Sequence, residues 1–166
     1  MNKIIIVVTL TVIGLAGLAW WGSSTQKPTG SNASAEAESV LVASEKLYDF
    51  GTISMKNGDV KKDFIVTNPG NKDILISSLV TSCMCTKAFI VKPNGATKGP
   101  FGMPAMGNYI PPANETIKPG ESRVIRAVYD PNAHGPAGVG PIDRFLILTD
   151  SSGSKLELEI KAIVTP

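Results

Sequence analysis

From residue 40 to the end of the chain, apolar residues recur at every second position rather than every third or fourth. The last segment shows this most clearly. Leu156, Leu158, Ile160 and Ala162 alternate with Lys155, Glu157, Glu159 and Lys161. Side chains along a strand point to opposite faces in turn, so this pattern predicts a strand with one buried and one wet face. Residues 144–149 (RFLILT) are apolar on both faces and suit a central strand. Residues 123–129 (RVIRAVY) are β-branched and end at the turn signal Asp130-Pro131. Residues 60–67 place Val60, Phe64 and Val66 on one face. The turn Asn68-Pro69-Gly70-Asn71 then leads into a strand at 74–80. Residues 47–53 (LYDFGTI) make a first strand, and Lys118-Pro119-Gly120-Glu121 is a further turn. No amphipathic helix is expected after residue 40. Short strands between Gly/Pro/Asn turns predict an all-β sandwich over residues 40–166.

The start of the chain has another character. Residues 4–21 carry no charge, follow Lys3 and end in Trp20-Trp21. As a helix this stretch is about 27 Å long, close to the bilayer core. Paired tryptophans suit the headgroup layer, and Lys3 places the N-terminus on the cytoplasmic side. Residues 1–21 therefore read as one N-terminal transmembrane helix, a single-pass membrane anchor. A cleavable signal peptide is the competing reading. Either one sends the rest of the chain outside the cytoplasmic membrane, to the periplasm or cell surface. Residues 22–39 (GSSTQKPTGSNASAEAES) lack an apolar period and read as a flexible linker.

Composition narrows the function classes. The chain has 166 residues, 43% of them hydrophobic, with a net charge of +2. No run of like charge suggests nucleic acid as a partner. Two cysteines and one histidine exclude a disulfide-dense miniprotein and a four-cysteine zinc site. Phosphate loops, His-Glu-x-x-His and Gly-x-Ser-x-Gly are absent, so no enzyme is expected. The glycine-rich run 135–141 (GPAGVGP) stands between two strands and reads as a flexible loop.

Several motifs together resemble a known family. They are Tyr48-Asp49-Phe50-Gly51-Thr52-Ile53, Phe64 to Gly70, and Thr81-Ser82-Cys83-Met84-Cys85-Thr86. They continue with Ile117 to Ser122 and Val128-Tyr129-Asp130-Pro131. The pattern resembles the bacterial exported family of domain of unknown function 1573, over roughly residues 44–164. That family is similar to immunoglobulin-like domains of the ASH/MSP type. The resemblance implies an immunoglobulin-like seven-stranded sandwich and assigns no activity. Two features depart from it. Cys83-Met84-Cys85 stands where Cys-Gly-Cys is usual, and a long loop, Pro93 to Asn114, precedes the Pro-Gly-Glu turn.

The candidate chemistry lies in Cys83, Met84, Cys85, Met103, Met106 and His134. Thiolates, thioethers and imidazole are the ligands that suit Cu(I). In extended chain both thiols of Cys-x-Cys point to one face. Alternating strand directions gather Met55, Cys83 to Cys85 and His134 at one pole. Met103 and Met106 join them if their loop follows directly, and not if residues 88–92 are already a strand. A disulfide between Cys83 and Cys85, or inert packing, are the other readings of the pair. Zinc fits less well, because Cys83, Cys85 and His134 leave one position open.

Two functions follow from these residues. The first is a membrane-tethered module that binds Cu(I) for buffering or delivery. The second is a metal-free scaffold that meets a protein partner through the 93–114 loop, with Phe101, Met103, Met106, Tyr109 and Ile110 as apolar anchors.

Overall fold

The computed structural model describes residues 39–104 and 112–166, all within the unit Glu36–Pro166. The expected anchor at 1–21, nearly all of the linker, Met106, Tyr109 and Ile110 lie outside the described residues. Among the described residues no helix is long and apolar enough to cross a membrane.

The described residues form ten strands and two short 3-10 turns. The strands are β1 (Val42–Ala43), β2 (Leu47–Ser54), β3 (Val60–Thr67), β4 (Ile74–Thr81), β5 (Thr86–Val91), β6 (Thr97–Phe101), β7 (Glu115–Ile117), β8 (Ser122–Tyr129), β9 (Gly140–Asp150) and β10 (Lys155–Thr165). They build two five-stranded sheets, ordered β1-β3-β8-β5-β6 and β2-β10-β9-β4-β7. The all-β expectation and the two-sheet arrangement hold. The seven-stranded count does not, because β1, β6 and β7 are added at sheet edges and residues 86–91 are a full strand.

Alternation decides which side chains meet. Leu156, Leu158, Ile160 and Ala162 are all buried, as their period requires. Phe64 and Val66 on β3 are buried too. Lys62 shares their face near the rim, where its Nζ sits 3.9 Å from the centre of the Tyr48 ring. There it keeps an apolar stem inside and a charge at the edge. β9 lies between β10 and β4, with Leu146 and Leu148 buried on one face and Phe145 and Ile147 only partly covered on the other. β2 pairs with β10 in parallel, unlike every other pairing in the two sheets.

The ends of the strands define two poles. At one, Tyr129 pairs with both Val60 and Thr86, beside the turns after β2, β4 and β8. At the other, Thr67 pairs with Ser122, and Asn68 joins the turns on either side of it. The candidate chemistry sits at the first pole.

The Pro93–Asn114 stretch is not one long loop. Residues 97–101 form β6, which pairs with β5, and Phe101 is buried at 1% exposure. Phe101 is therefore part of the core and not an exposed anchor for a partner.

Candidate functional site

β4 ends at Thr81 and β5 begins at Thr86, so Cys83, Met84 and Cys85 make a tight turn and not a length of extended chain. The local sequence has no Gly, Pro or Asn to favour a turn. Hydrogen bonds hold it instead. Thr81 Oγ1 lies 3.0 Å from the carbonyl oxygens of Cys83 and of Thr86. The Thr86 N–H donates to Cys83 O at 3.1 Å. Ser82 is tied to β9, donating its N–H to Phe145 O and accepting the Phe145 N–H on its hydroxyl.

The turn brings the two sulfurs together, and Cys83 and Cys85 form a disulfide with their Cα atoms 5.3 Å apart. The expectation that the two thiols lie side by side on extended chain is thus corrected. Extended geometry suits no such bond, and the turn supplies what it lacks.

The pair is not symmetric. Cys85 is buried at 2% exposure, while Cys83 is half-buried. Arg144 on β9 donates from Nε to Cys85 Sγ at 3.3 Å, and its other arm donates to Asp143 O. Thr86 Oγ1 lies 3.8 Å from the same sulfur. Cys83 Sγ faces the exposed His134, whose Nε2 is 3.3 Å away, and accepts the Cys85 N–H at 3.3 Å. The ligand atoms of Cys83, Cys85 and His134 all lie within 4.8 Å of one another. Buried Tyr129 stands beneath. Its burial pushes the phenol pKa above the ordinary value, and Asp130 adds to this while Arg144 opposes it.

The rest of the pole is built by the segment after β8. Asp130 donates its N–H to Cys85 O at 2.9 Å, and its carboxylate accepts the Asn132 N–H at 2.8 Å. Asn132 Nδ2 reaches across to Met55 O at 2.7 Å. Residues 135–138 close into a 3-10 turn, not a flexible loop, and this fixes the approach of His134. Met55 contributes its carbonyl here, and its side chain packs against the core.

The methionines divide. Met84 sits at the tip of the turn and is well exposed. Met103 lines the same shallow groove as Met84, together with Thr86, Lys87, Pro100, Phe101 and Gly102. The reasoning that a strand at 88–92 would carry Met103 away needs correction. β6 runs back antiparallel to β5, pairing Phe101 with Ala88, and Gly102 O accepts the Thr81 N–H at 3.2 Å. The chain thus returns to the turn just before Met103. Met106 lies outside the described residues. Sequence reasoning missed Arg144, which looks like the first residue of an apolar strand. Nothing in its neighbours signals that it reaches a sulfur.

The disulfide closes a very short loop, so it constrains the unfolded chain little. Chain-entropy arithmetic for about three residues gives roughly 1.5–2 kcal/mol. Reduction is therefore expected to leave the domain folded, with unfolding in urea shifted by about that amount. A collapse of the far-ultraviolet circular dichroism on adding reductant at room temperature would contradict this.

Residues 41–97 match the family model described as protein of unknown function (DUF1573). Among solved structures, the chain is similar to a protein of unknown function from Porphyromonas gingivalis W83, with 17% identity and a TM-score of 0.53. The match covers 81% of this chain and 51% of that one, so this chain spans about half of that protein's length. Weaker likenesses include the VesB protease of Vibrio cholerae, with 14% identity, a TM-score of 0.47, and coverage of 74% of this chain and 31% of that one. The secreted serine protease VesC of the same organism gives 16% identity and a TM-score of 0.47, covering 76% of this chain and 24% of that one. At such identities the likeness concerns the fold alone. No curated protein matches.

Proposed function

We propose that this chain, with the DUF1573 pattern over residues 41–97, is a membrane-tethered extracytoplasmic β-sandwich that binds Cu(I) when its Cys83–Cys85 disulfide is reduced. One observation carries the reading: Sγ of Cys83, Sγ of Cys85 and a ring nitrogen of His134 converge within 4.8 Å. Two thiolates and an imidazole form a low-coordinate donor set that favours a soft monovalent ion. The charges also support it. A Cu(I) ion between two thiolates leaves one net negative charge, and the Arg144 guanidinium beside Cys85 offsets it. Met84 and Met103, at the groove beside the turn, offer thioethers for an ion arriving or leaving. The tethered, extracytoplasmic part of this reading is supported by the sequence alone, through the uncharged stretch at 4–21 and the polar linker after it.

The test is an anaerobic competition titration of the reduced chain against a Cu(I) chelator. One tight equivalent is expected, and it is expected to vanish in the Cys83→Ser/Cys85→Ser double variant. His134→Ala is expected to weaken binding by about tenfold, the loss of one of three ligands. Equal competition by the wild type and the double variant would refute the reading.

A further inference from the structure

The two sulfurs have different surroundings, and that difference has a chemical direction. Thiol–disulfide exchange proceeds by attack of a thiolate on one sulfur while the other departs as a thiolate. It is faster when the attacked sulfur is accessible and the leaving thiolate is stabilised. Cys83 is the reachable sulfur, half-buried and facing exposed His134. Cys85 is buried and cannot meet an incoming group, yet it carries the Arg144 Nε–H at 3.3 Å, with the Thr86 hydroxyl 3.8 Å away.

We infer that the Cys83–Cys85 disulfide undergoes thiol–disulfide exchange with a dithiol partner, with Cys83 as the sulfur attacked and Cys85 as the thiolate that leaves onto Arg144. In the first step the partner's thiolate donates its electron pair to Cys83 Sγ. The Sγ–Sγ bond breaks, and its pair departs on Cys85 Sγ, where the guanidinium receives the charge. In the second step the partner's other thiolate attacks the partner's own sulfur in the mixed disulfide. Cys83 is released as a thiolate beside His134 Nε2 and the Cys85 N–H. The partner loses two electrons and becomes a disulfide, while the cysteine pair gains both. The two protons given up by the partner's thiols are available to the two new thiolates. This reaction also regulates the proposed metal site, since the donor set exists only after exchange. In that regulatory consequence the inference rests on the Cu(I) reading, whereas the exchange itself does not.

The full chain provides the test, with dithiothreitol as the dithiol. Arg144→Gln keeps a polar side chain but removes the charge. It is expected to slow reduction by dithiothreitol about tenfold, with partial rescue by Arg144→Lys. Circular dichroism of each variant confirms that the fold is kept. A second measurement leaves Arg144 untouched. With an aromatic disulfide as probe, Cys83 in Cys85→Ser is expected to form the mixed disulfide at least about tenfold faster than Cys85 in Cys83→Ser. Equal rates in that pair, or reduction unaffected by Arg144→Gln, would overturn the inference. The Cu(I) titration separates the two proposals. Directional exchange in a reduced protein that ignores Cu(I) would refute the metal reading alone. Tight Cu(I) binding with non-directional exchange would refute this inference alone.

Discussion

Glu115→Ala is expected to destabilise the domain by about 3–5 kcal/mol, the range for removing one partner from a buried charge pair. Glu115 is only 3% exposed. Its Oε1 accepts the Arg123 Nε–H at 2.8 Å, and its Oε2 lies 3.0 Å from Lys98 Nζ and 3.3 Å from Lys92 Nζ. These cations come from β8, from β6 and from the segment just after β5, whereas Glu115 starts β7 in the opposite sheet. The cluster thus clasps the two sheets. Lys98 also donates to the Ala113 and Asn114 carbonyls, each at 2.9 Å. The lysine heads are partly wet and recover hydration when the carboxylate is lost. Arg123 does not, since its side chain is 10% exposed. The cost falls on that guanidinium, which keeps only Glu121 and the carbonyls of Ser122 and Thr116. Urea unfolding followed by circular dichroism measures the loss, and a value under about 1 kcal/mol would show that the clasp is solvated in place.

The same carboxylate predicts a pH dependence. Burial alone would raise its pKa, but hydrogen bonds from Arg123, Lys98 and Lys92 outweigh this and hold it below the ordinary value. The unfolded chain therefore takes up the proton first as pH falls. The stabilisation is complete above the unfolded value, about 4.3, and is lost as pH drops through the folded one. Asp150 is shifted in the same direction. Burial raises its pKa, and bonds from Ser152, Ser154 and Ser39 overcome that effect. The wild type should thus lose stability below about pH 4.5, and Glu115→Gln should show a shallower loss there.

Much of the architecture was legible because it rests on period. β3 has the bounds its pattern predicts, and β10 buries the residues its alternation selects. The gathering of Met55, the Cys-x-Cys pair and His134 at one pole follows from strands that alternate in direction, and the geometry agrees. What was not legible depends on distant partners. β6 reads Thr-Lys-Gly-Pro-Phe and has no alternation, and it is a strand because β5 and the Lys98–Glu115 contact hold it. The parallel pairing of β2 with β10 joins opposite ends of the domain and leaves no local trace. The cysteine turn lacks Gly, Pro and Asn, and a threonine hydroxyl and the disulfide hold it instead. Arg144 reaches Cys85 from a strand 59 residues further along, a link that neither composition nor spacing encodes.

Asn68→Asp is expected to cost roughly 3 kcal/mol or more at pH 7, the penalty of burying a charge whose neighbours are themselves acceptors. Asn68 is fully buried at the pole opposite the cysteines. Its Nδ2 donates to Lys72 O at 2.7 Å and to Ile117 O at 2.8 Å, and its Oδ1 accepts the Gly70 N–H at 2.9 Å. Its backbone joins the other turn, donating to Glu121 O at 3.1 Å and accepting the Gly120 N–H at 2.8 Å. One side chain thus locks the turn after β3 to the turn before β8. A carboxylate of the same shape keeps the Gly70 contact but presents an anionic oxygen to two carbonyls. Ionisation is then disfavoured in the folded state, which raises the folded pKa of the introduced group above its unfolded value. The folded variant binds the extra proton, so its deficit relative to the wild type should shrink as pH falls toward about 4, where one donor returns. Asn68→Ala lacks this titration and should show a smaller loss, about 2 kcal/mol, with no such convergence. Urea unfolding of both variants at pH 7 and pH 4 decides the matter. A gap between Asn68→Asp and wild type that stays constant with pH would mean that the introduced carboxyl has turned outward to water and that the two turns hold without the side-chain lock.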